Sequence, residues 1–167
     1  MIISNRIAAA LNPRYLRLII LPTEKCNFRC TYCYESFELG RMSSTTINAL
    51  VSHIRLRIPR LDHLQISWFG GEPLLAMDSM LRVSAEAKQL CESNGASFNS
   101  DITTNGYLLT PDVADQLFQA GIRDYQITLD GLEGDHDQTR LLASGAGTFH
   151  QIYANLRQLL KTSLSIS

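Results

Sequence analysis

Apolar positions along this chain alternate four times between the spacing of a strand and that of a helix. Residues 15–21 read as a first strand. Ser43 or Ser44 then caps a helix that runs to about Ile58, where Pro59 stops it. Residues 64–69 alternate with period two, and a helix over about residues 78–93 follows, ending at Asn94-Gly95. A third strand is expected over residues 98–104. Thr110-Pro111-Asp112 opens the next helix, with proline at its first position, and Gly121 closes it. Residues 125–129 form the fourth strand. Thr148 caps a helix to about Leu160, and residues 164–166 read as the start of a fifth strand.

This rhythm implies parallel strands joined by right-handed crossovers. The expected fold is α/β: a partial parallel (β/α) barrel of about four βα units plus the start of a fifth strand. A closed barrel takes about 250 residues. The strand faces add a second expectation. Leu64, Ile66 and Trp68 share one face, opposite Gln65 and Ser67. Asp101, Thr103 and Asn105 oppose Phe98 and Ile102, and Gln126, Thr128 and Asp130 oppose Tyr125, Ile127 and Leu129. The apolar faces should pack on the helices, leaving a polar interior suited to a polar molecule. The competing arrangement is an antiparallel sheet with one wet face.

Composition narrows the function classes. With 167 residues and 45% apolar content, the chain suits one domain with a sizeable core. A net charge of −1 with scattered Lys and Arg gives no nucleic-acid footprint. No apolar run approaches the roughly 18 residues of a membrane span. Residues 2–11 do not read as an export signal, so the expected location is cytoplasmic, where thiols stay reduced. Three of the 4 cysteines then fall within one short run.

That run, Cys26-Asn27-Phe28-Arg29-Cys30-Thr31-Tyr32-Cys33, directly follows the first strand. Three thiolates on one loop can wrap an iron–sulfur cubane and leave its fourth iron open. A structural zinc site would need a fourth ligand, and Cys91 is the candidate, although its helical spacing with Val83, Ala87 and Leu90 suits a buried thiol better. Gly70-Gly71-Glu72-Pro73 follows the second strand, Thr104-Asn105-Gly106 the third and Asp130-Gly131 the fourth. Each alone reads as turn chemistry. In a parallel α/β fold, however, all four lie on the ligand-binding edge. Asp130 either serves this site or caps a turn. Tyr34, Phe37 and Trp68 read as packing residues, His136 as a solvated turn residue, and Glu24 and Lys25 as solvated charges. His53, His63 and His150 lack ligand spacing, and Arg14, Arg17 and Arg29 have no clear role.

In these motifs the sequence resembles the radical S-adenosylmethionine superfamily, most closely its peptide- and protein-modifying SPASM-type branch, which includes the anaerobic sulfatase-maturing enzymes. The resemblance runs from about Arg14 onward. It rests on Cys26, Cys30 and Cys33, on residues 68–75, on Thr104-Asn105-Gly106, and on residues 128–131 with His136-Asp137 and Arg140. It implies that the three cysteines ligate a 4Fe–4S cluster whose open iron binds S-adenosyl-L-methionine. Tyr32 would lie against the adenine, and Gly70, Gly71 and Glu72 would receive the methionyl ammonium. Asn105 and Thr128 would bond the ribose or carboxylate, and Arg140 would pair with that carboxylate. The implied chemistry is reductive cleavage of the cofactor to a 5′-deoxyadenosyl radical, which takes hydrogen from a peptide or protein substrate. A low-potential donor of flavodoxin or ferredoxin type would supply the electron.

The family barrel has six strands and, in this branch, a following cysteine-rich domain. Residues 1–13 would therefore be an extension, and residues 14–167 a core domain incomplete at its C-terminus and without a SPASM domain. A chain of this kind should show low or no turnover alone, and a complementing C-terminal chain or domain, as in a split enzyme, is a candidate partner. Two other functions compete. One is a truncated non-catalytic paralogue that binds peptide or a partner; the other is a zinc-binding structural module.

Overall fold

The computed structural model describes residues 12–161; residues 1–11 of the expected extension and the expected fifth strand at 164–166 lie outside them. The chain runs β1 (Tyr15–Ile20), β2 (Phe28–Cys30), α1 (Ser44–Arg57), β3 (His63–Trp68), α2 (Met77–Asn94), β4 (Ser97–Thr104), α3 (Pro111–Gln119), β5 (Ile122–Ile127), α4 (Glu133–Thr139), β6 (Arg140–Leu142) and α5 (Phe149–Leu159). Strands β1, β3, β4 and β5 form a sheet in the order β1-β3-β4-β5, every neighbouring pair parallel. This is the partial barrel the alternation implies, and the antiparallel alternative is excluded. No described helix is long and apolar enough to cross a membrane.

Local chemistry accounts for the element ends. Ser43 accepts the Thr46 N–H at the start of α1, and Thr110 accepts the Val113 N–H at the start of α3. Pro59 ends α1 through a 3-10 turn, Ile58–Arg60. Gly95 closes α2 in the left-handed conformation, φ 70°.

The two sheet faces separate as the alternation predicts. Leu64, Ile66, Trp68 and Ile102 are buried against Ile54 of α1, Met80 and Val83 of α2, and Leu117 of α3. Each such side chain contributes about 1.5–3 kcal/mol by leaving water. Cross-strand register places Arg17, Gln65 and Asn99 together on the other face, with Asp101 beside Asp124 and Thr103 beside Gln126. Some of these polar groups satisfy one another: the Arg17 guanidinium donates to Ser67 Oγ at 3.1 Å, and Tyr15 bonds Gln65.

Residues 133–142 depart from expectation. No element is expected there, but they form α4 and β6, and β6 pairs antiparallel with β2. Helix α4 (EGDHDQT) has no apolar periodicity; tertiary contacts hold it. His136 is 0% exposed, not a solvated turn residue. Its Nδ1 accepts the Asp130 N–H at 3.3 Å, so Nε2 carries the proton and donates to Thr148 Oγ1 at 3.1 Å. Burial lowers its pKa, which favours that neutral ring.

Thr148 therefore does not cap α5 with its side chain. Its hydroxyl donates to the Arg140 carbonyl at 2.6 Å, and the cap comes from Asp137, whose Oδ1 accepts the Thr148 and Phe149 N–H groups at 2.8 and 3.0 Å. Burial pushes the Asp137 carboxyl up, but these two N–H groups and the nearby His136 and His150 outweigh it and hold the pKa below 3.8. A depressed carboxylate stabilises the fold above its ordinary value and loses that contribution as pH falls through the lower, folded one. Asp137→Ala should cost about 1 kcal/mol at pH 7. Its deficit against the parent should shrink in acid, which urea unfolding at several pH values will show.

Candidate active site

The C-terminal ends of β1, β3, β4 and β5 share one edge, and each loop leaving that edge carries one of the motifs picked out in the sequence. The cysteine loop after β1 is fastened from two sides. On one side Gly71 N–H donates to the Thr23 carbonyl at 3.2 Å and Glu72 N–H to the Lys25 carbonyl at 2.9 Å. The backbones approach so closely that a Cβ on Gly71 would lie 2.2 Å from the Glu24 carbonyl oxygen. Gly70 has φ 113° and the same tight fit, a Cβ there meeting the Thr23 oxygen at 2.7 Å. The double glycine is thus required by the fit to the cysteine loop.

On the other side β2 pairs with β6, setting Phe28 opposite Leu142 and Cys30 opposite Arg140. Thr31 N–H donates to the Thr139 carbonyl at 2.9 Å, and Ala143 N–H to the Asn27 carbonyl at 2.8 Å. Within the loop, the Arg29 guanidinium donates to the Cys26 and Phe28 carbonyls and lies 4.3 Å over the Phe37 ring. Glu24 accepts from Ser36 Oγ and from the Glu38 and Leu39 N–H groups, and Lys25 Nζ donates to the Phe37 carbonyl. Arg29, Glu24 and Lys25, unassigned or read as solvated, therefore shape the loop. Nothing in their spacing signals this, because most of their partners are backbone atoms.

A cavity of about 170 Å³ opens between the two fastenings. Cys26, Cys30 and Cys33 line it together with Tyr32, Gly70, Gly71, Asn105, Thr128 and Arg140. Nine of the ten residues assigned to cluster or cofactor thus meet around one space. The tenth, Glu72, lies behind the wall with 0% exposure. Its carboxylate accepts the Leu74 N–H at 3.0 Å, the Thr104 hydroxyl at 2.8 Å and the Asn105 N–H at 2.8 Å. Burial raises its pKa despite those donors.

Asp130 stands between the two roles it was given. Its Oδ2 accepts the Tyr32 hydroxyl at 2.6 Å and the Thr139 hydroxyl at 3.0 Å, and Arg140 donates to the same Tyr32 oxygen at 2.7 Å. Tyr32 is 55% exposed, so these bonds rather than packing fix its ring. Tyr34, expected to pack, is 78% exposed, whereas Trp68 is buried and donates to Ser84 Oγ.

The donor set fits an iron–sulfur cluster. Burial pushes the Cys26 thiol up to about 11, against the Phe28 N–H bond and with Glu72 and Cys30 adding to the rise. Cys30 is raised as well, first by burial. Metal binding at this loop must therefore displace thiol protons. Two buried nitrogens nearby, Asn27 Nδ2 and Arg140 Nε, have no partner among the described residues, as a site for a polar ligand would leave them. Among the described residues no three His, Cys, Asp or Glu side chains converge as ligands of a single metal ion do. Cysteines on a cubane each take a different iron and do not need to converge in that way. Cys91 is buried in the core of α2, beside Phe98 and Gly121 at the strands' N-terminal edge, away from this cavity. A larger cavity of about 440 Å³ opens there but contains none of the residues assigned to cluster or cofactor.

Comparison with known proteins agrees with this geometry. The chain is 33% identical over 147 residues to a GTP 3′,8-cyclase of Nostoc punctiforme, covering 86% of this chain and 42% of that protein. It is 35% identical over 123 residues to the GTP 3′,8-cyclase of Haemophilus influenzae, covering 71% of this chain and 34% of that one. Its fold matches native anSMEcpe with bound AdoMet and the Kp18Cys peptide, with TM-score 0.76, 24% identity, and coverage of 88% of this chain and 41% of that one. The Radical SAM superfamily profile matches residues 20–166, and the chain belongs to that superfamily.

Proposed function

We propose that this chain forms the radical-generating core of an enzyme that modifies a peptide or protein side chain. The reading rests on one observation: three cysteines and a double-glycine turn face a single cavity with Tyr32, Asn105, Thr128 and Arg140. Cys26, Cys30 and Cys33 hold a 4Fe–4S cluster, and S-adenosyl-L-methionine occupies the cavity. When bound, the cluster supplies the electron that splits the cofactor's sulfonium bond into methionine and a 5′-deoxyadenosyl radical.

The residues around it bind and orient. Arg140, buried and bonded to Tyr32, presents positive charge to the cofactor carboxylate. Tyr32, held by Asp130 and Arg140, offers its ring to the adenine. Backbone atoms of Gly70 and Gly71 lie at the cavity wall, where no side chain intervenes. The Glu72 carboxylate is engaged behind them, so the ammonium subsite is built from the glycine backbone, with Glu72 supporting it from behind.

A peptide substrate is supported by the likeness in fold to a peptide-bound structure. A nucleotide substrate is the second reading, favoured by 33% identity to a GTP 3′,8-cyclase. The chain spans 42% of that relative's length. A low-potential electron donor and a complementing C-terminal chain or domain are the proposed partners. A cytoplasmic setting, where thiols stay reduced, suits three free cysteines on one loop.

Anaerobic reconstitution tests the core of the proposal. The full chain should take up about four irons with matching sulfide, and Cys26→Ala, Cys30→Ala and Cys33→Ala should each abolish uptake. Binding of about one zinc and no iron would establish the structural-module alternative instead. Methionine and 5′-deoxyadenosine formed on adding peptide or GTP, with a complementing domain present, would separate the two substrate readings. No cleavage with either would mark a non-catalytic paralogue.

A further inference from the structure

Glu72 and Asn105 form a connected path that ends on a sulfur. Asn105 is fixed at two points: its N–H donates to Glu72 Oε2 at 2.8 Å, and its Oδ1 accepts the Tyr107 N–H at 3.0 Å. Both constraints aim the remaining group, Nδ2, at the cysteine loop. It donates to Asn27 Oδ1 at 2.8 Å and to Cys26 Sγ at 3.8 Å. The Phe28 N–H reaches the same sulfur at 3.3 Å. Cys26 is thus the end point of two N–H groups, one of them placed by a carboxylate that is wholly buried.

Hydrogen bonds to a ligating sulfur draw electron density from it. They favour the reduced, more negative cluster and so raise its reduction potential. Resting on the reading that Cys26 ligates a cluster, we infer that Asn105 tunes this cluster by hydrogen bonding to the Cys26 sulfur, and that Glu72 is the positioning residue that aims it. This role differs from contact with the cofactor. It also gives the Glu72 carboxylate a task that its burial permits.

The test is a redox titration of the reconstituted full chain, followed by electron paramagnetic resonance. S-adenosylmethionine is left out, so that contacts to it do not enter. Asn105→Ala should shift the midpoint potential to a lower value. If that chain loads poorly, Asn105→Asp retains the turn acceptor for Tyr107, removes the donor, and should show a fall of the same sign. Asn27→Ala removes the competing acceptor, leaves Nδ2 to the sulfur alone, and should shift the potential upward. In a Glu72→Gln background, whose one oxygen stays on the Leu74 N–H and the Thr104 hydroxyl and no longer holds the Asn105 N–H, Asn105→Ala should shift the potential less than it does in the parent; an equal shift would leave Glu72 no part in aiming Asn105. An unchanged potential in the Asn105 variants, or a fall in Asn27→Ala, overturns the inference while leaving the cluster assignment intact. A parent chain that takes up no iron overturns the assignment itself.

Discussion

Replacing Gly71 with alanine should lower iron affinity by about 10- to 100-fold, the usual cost of disturbing the groups that hold metal ligands in place. The new Cβ would sit 2.2 Å from the Glu24 carbonyl oxygen and 2.6 Å from that of Lys25. Both are backbone atoms, so no side chain can swing aside and the cysteine loop itself must move. The Gly71 and Glu72 N–H bonds to that loop then lengthen or break. A stability loss of about 1–3 kcal/mol should accompany the change, as for other overpacked sites. Gly134→Ala is the matched control, because nothing lies within 4 Å of the Cβ it adds. Iron analysis after reconstitution and urea unfolding of the two variants make the comparison. Equal iron in both would mean that the double glycine does not set the loop.

Glu72→Ala should be the most destabilising change at this edge. It leaves the Leu74 N–H, the Thr104 hydroxyl and the Asn105 N–H without their acceptor, all of them buried. Each orphaned buried donor costs about 1–3 kcal/mol, so a loss of at least about 3 kcal/mol is expected. Glu72→Gln keeps the shape and one oxygen and should cost less than half as much. The readout is the urea midpoint with an unchanged slope, which shows that stability rather than compactness has shifted. A Glu72→Ala chain as stable as the parent would mean that the carboxylate is not a structural brace.

The sheet and its chemistry were legible because they are written in short-range patterns. Alternation in residues 64–69 marks β3 and predicts that Leu64, Ile66 and Trp68 are buried against the helices. The caps at Ser43 and Thr110 and the glycine after α2 are local signals of the same kind. The cysteine run and the loop motifs gathered on one edge because parallel topology requires it. What escaped notice depends on distant partners. Helix α4 has no apolar stripe and exists through His136, which bridges Asp130 and Thr148. Strands β2 and β6 have three residues each, too short to show a period. The engagement of Glu72 was hidden for a similar reason: a carboxylate after two glycines reads the same whether it faces a ligand or backs onto β4.

Pairing of β2 with β6 also dictates an order of assembly. Phe28 finds its partner at Leu142, so the segment bearing the sulfurs acquires its second anchor only when nearly all of the described chain is in place. Contacts this remote are slow to close, since the entropy of a long loop must be overcome first. A nascent chain released up to α3 would carry all three thiols without the strand that frames them. On the proposed reading, loading of a cluster is therefore tied to completion of the fold through β6, unlike a zinc finger, whose few residues fold around their ion unaided.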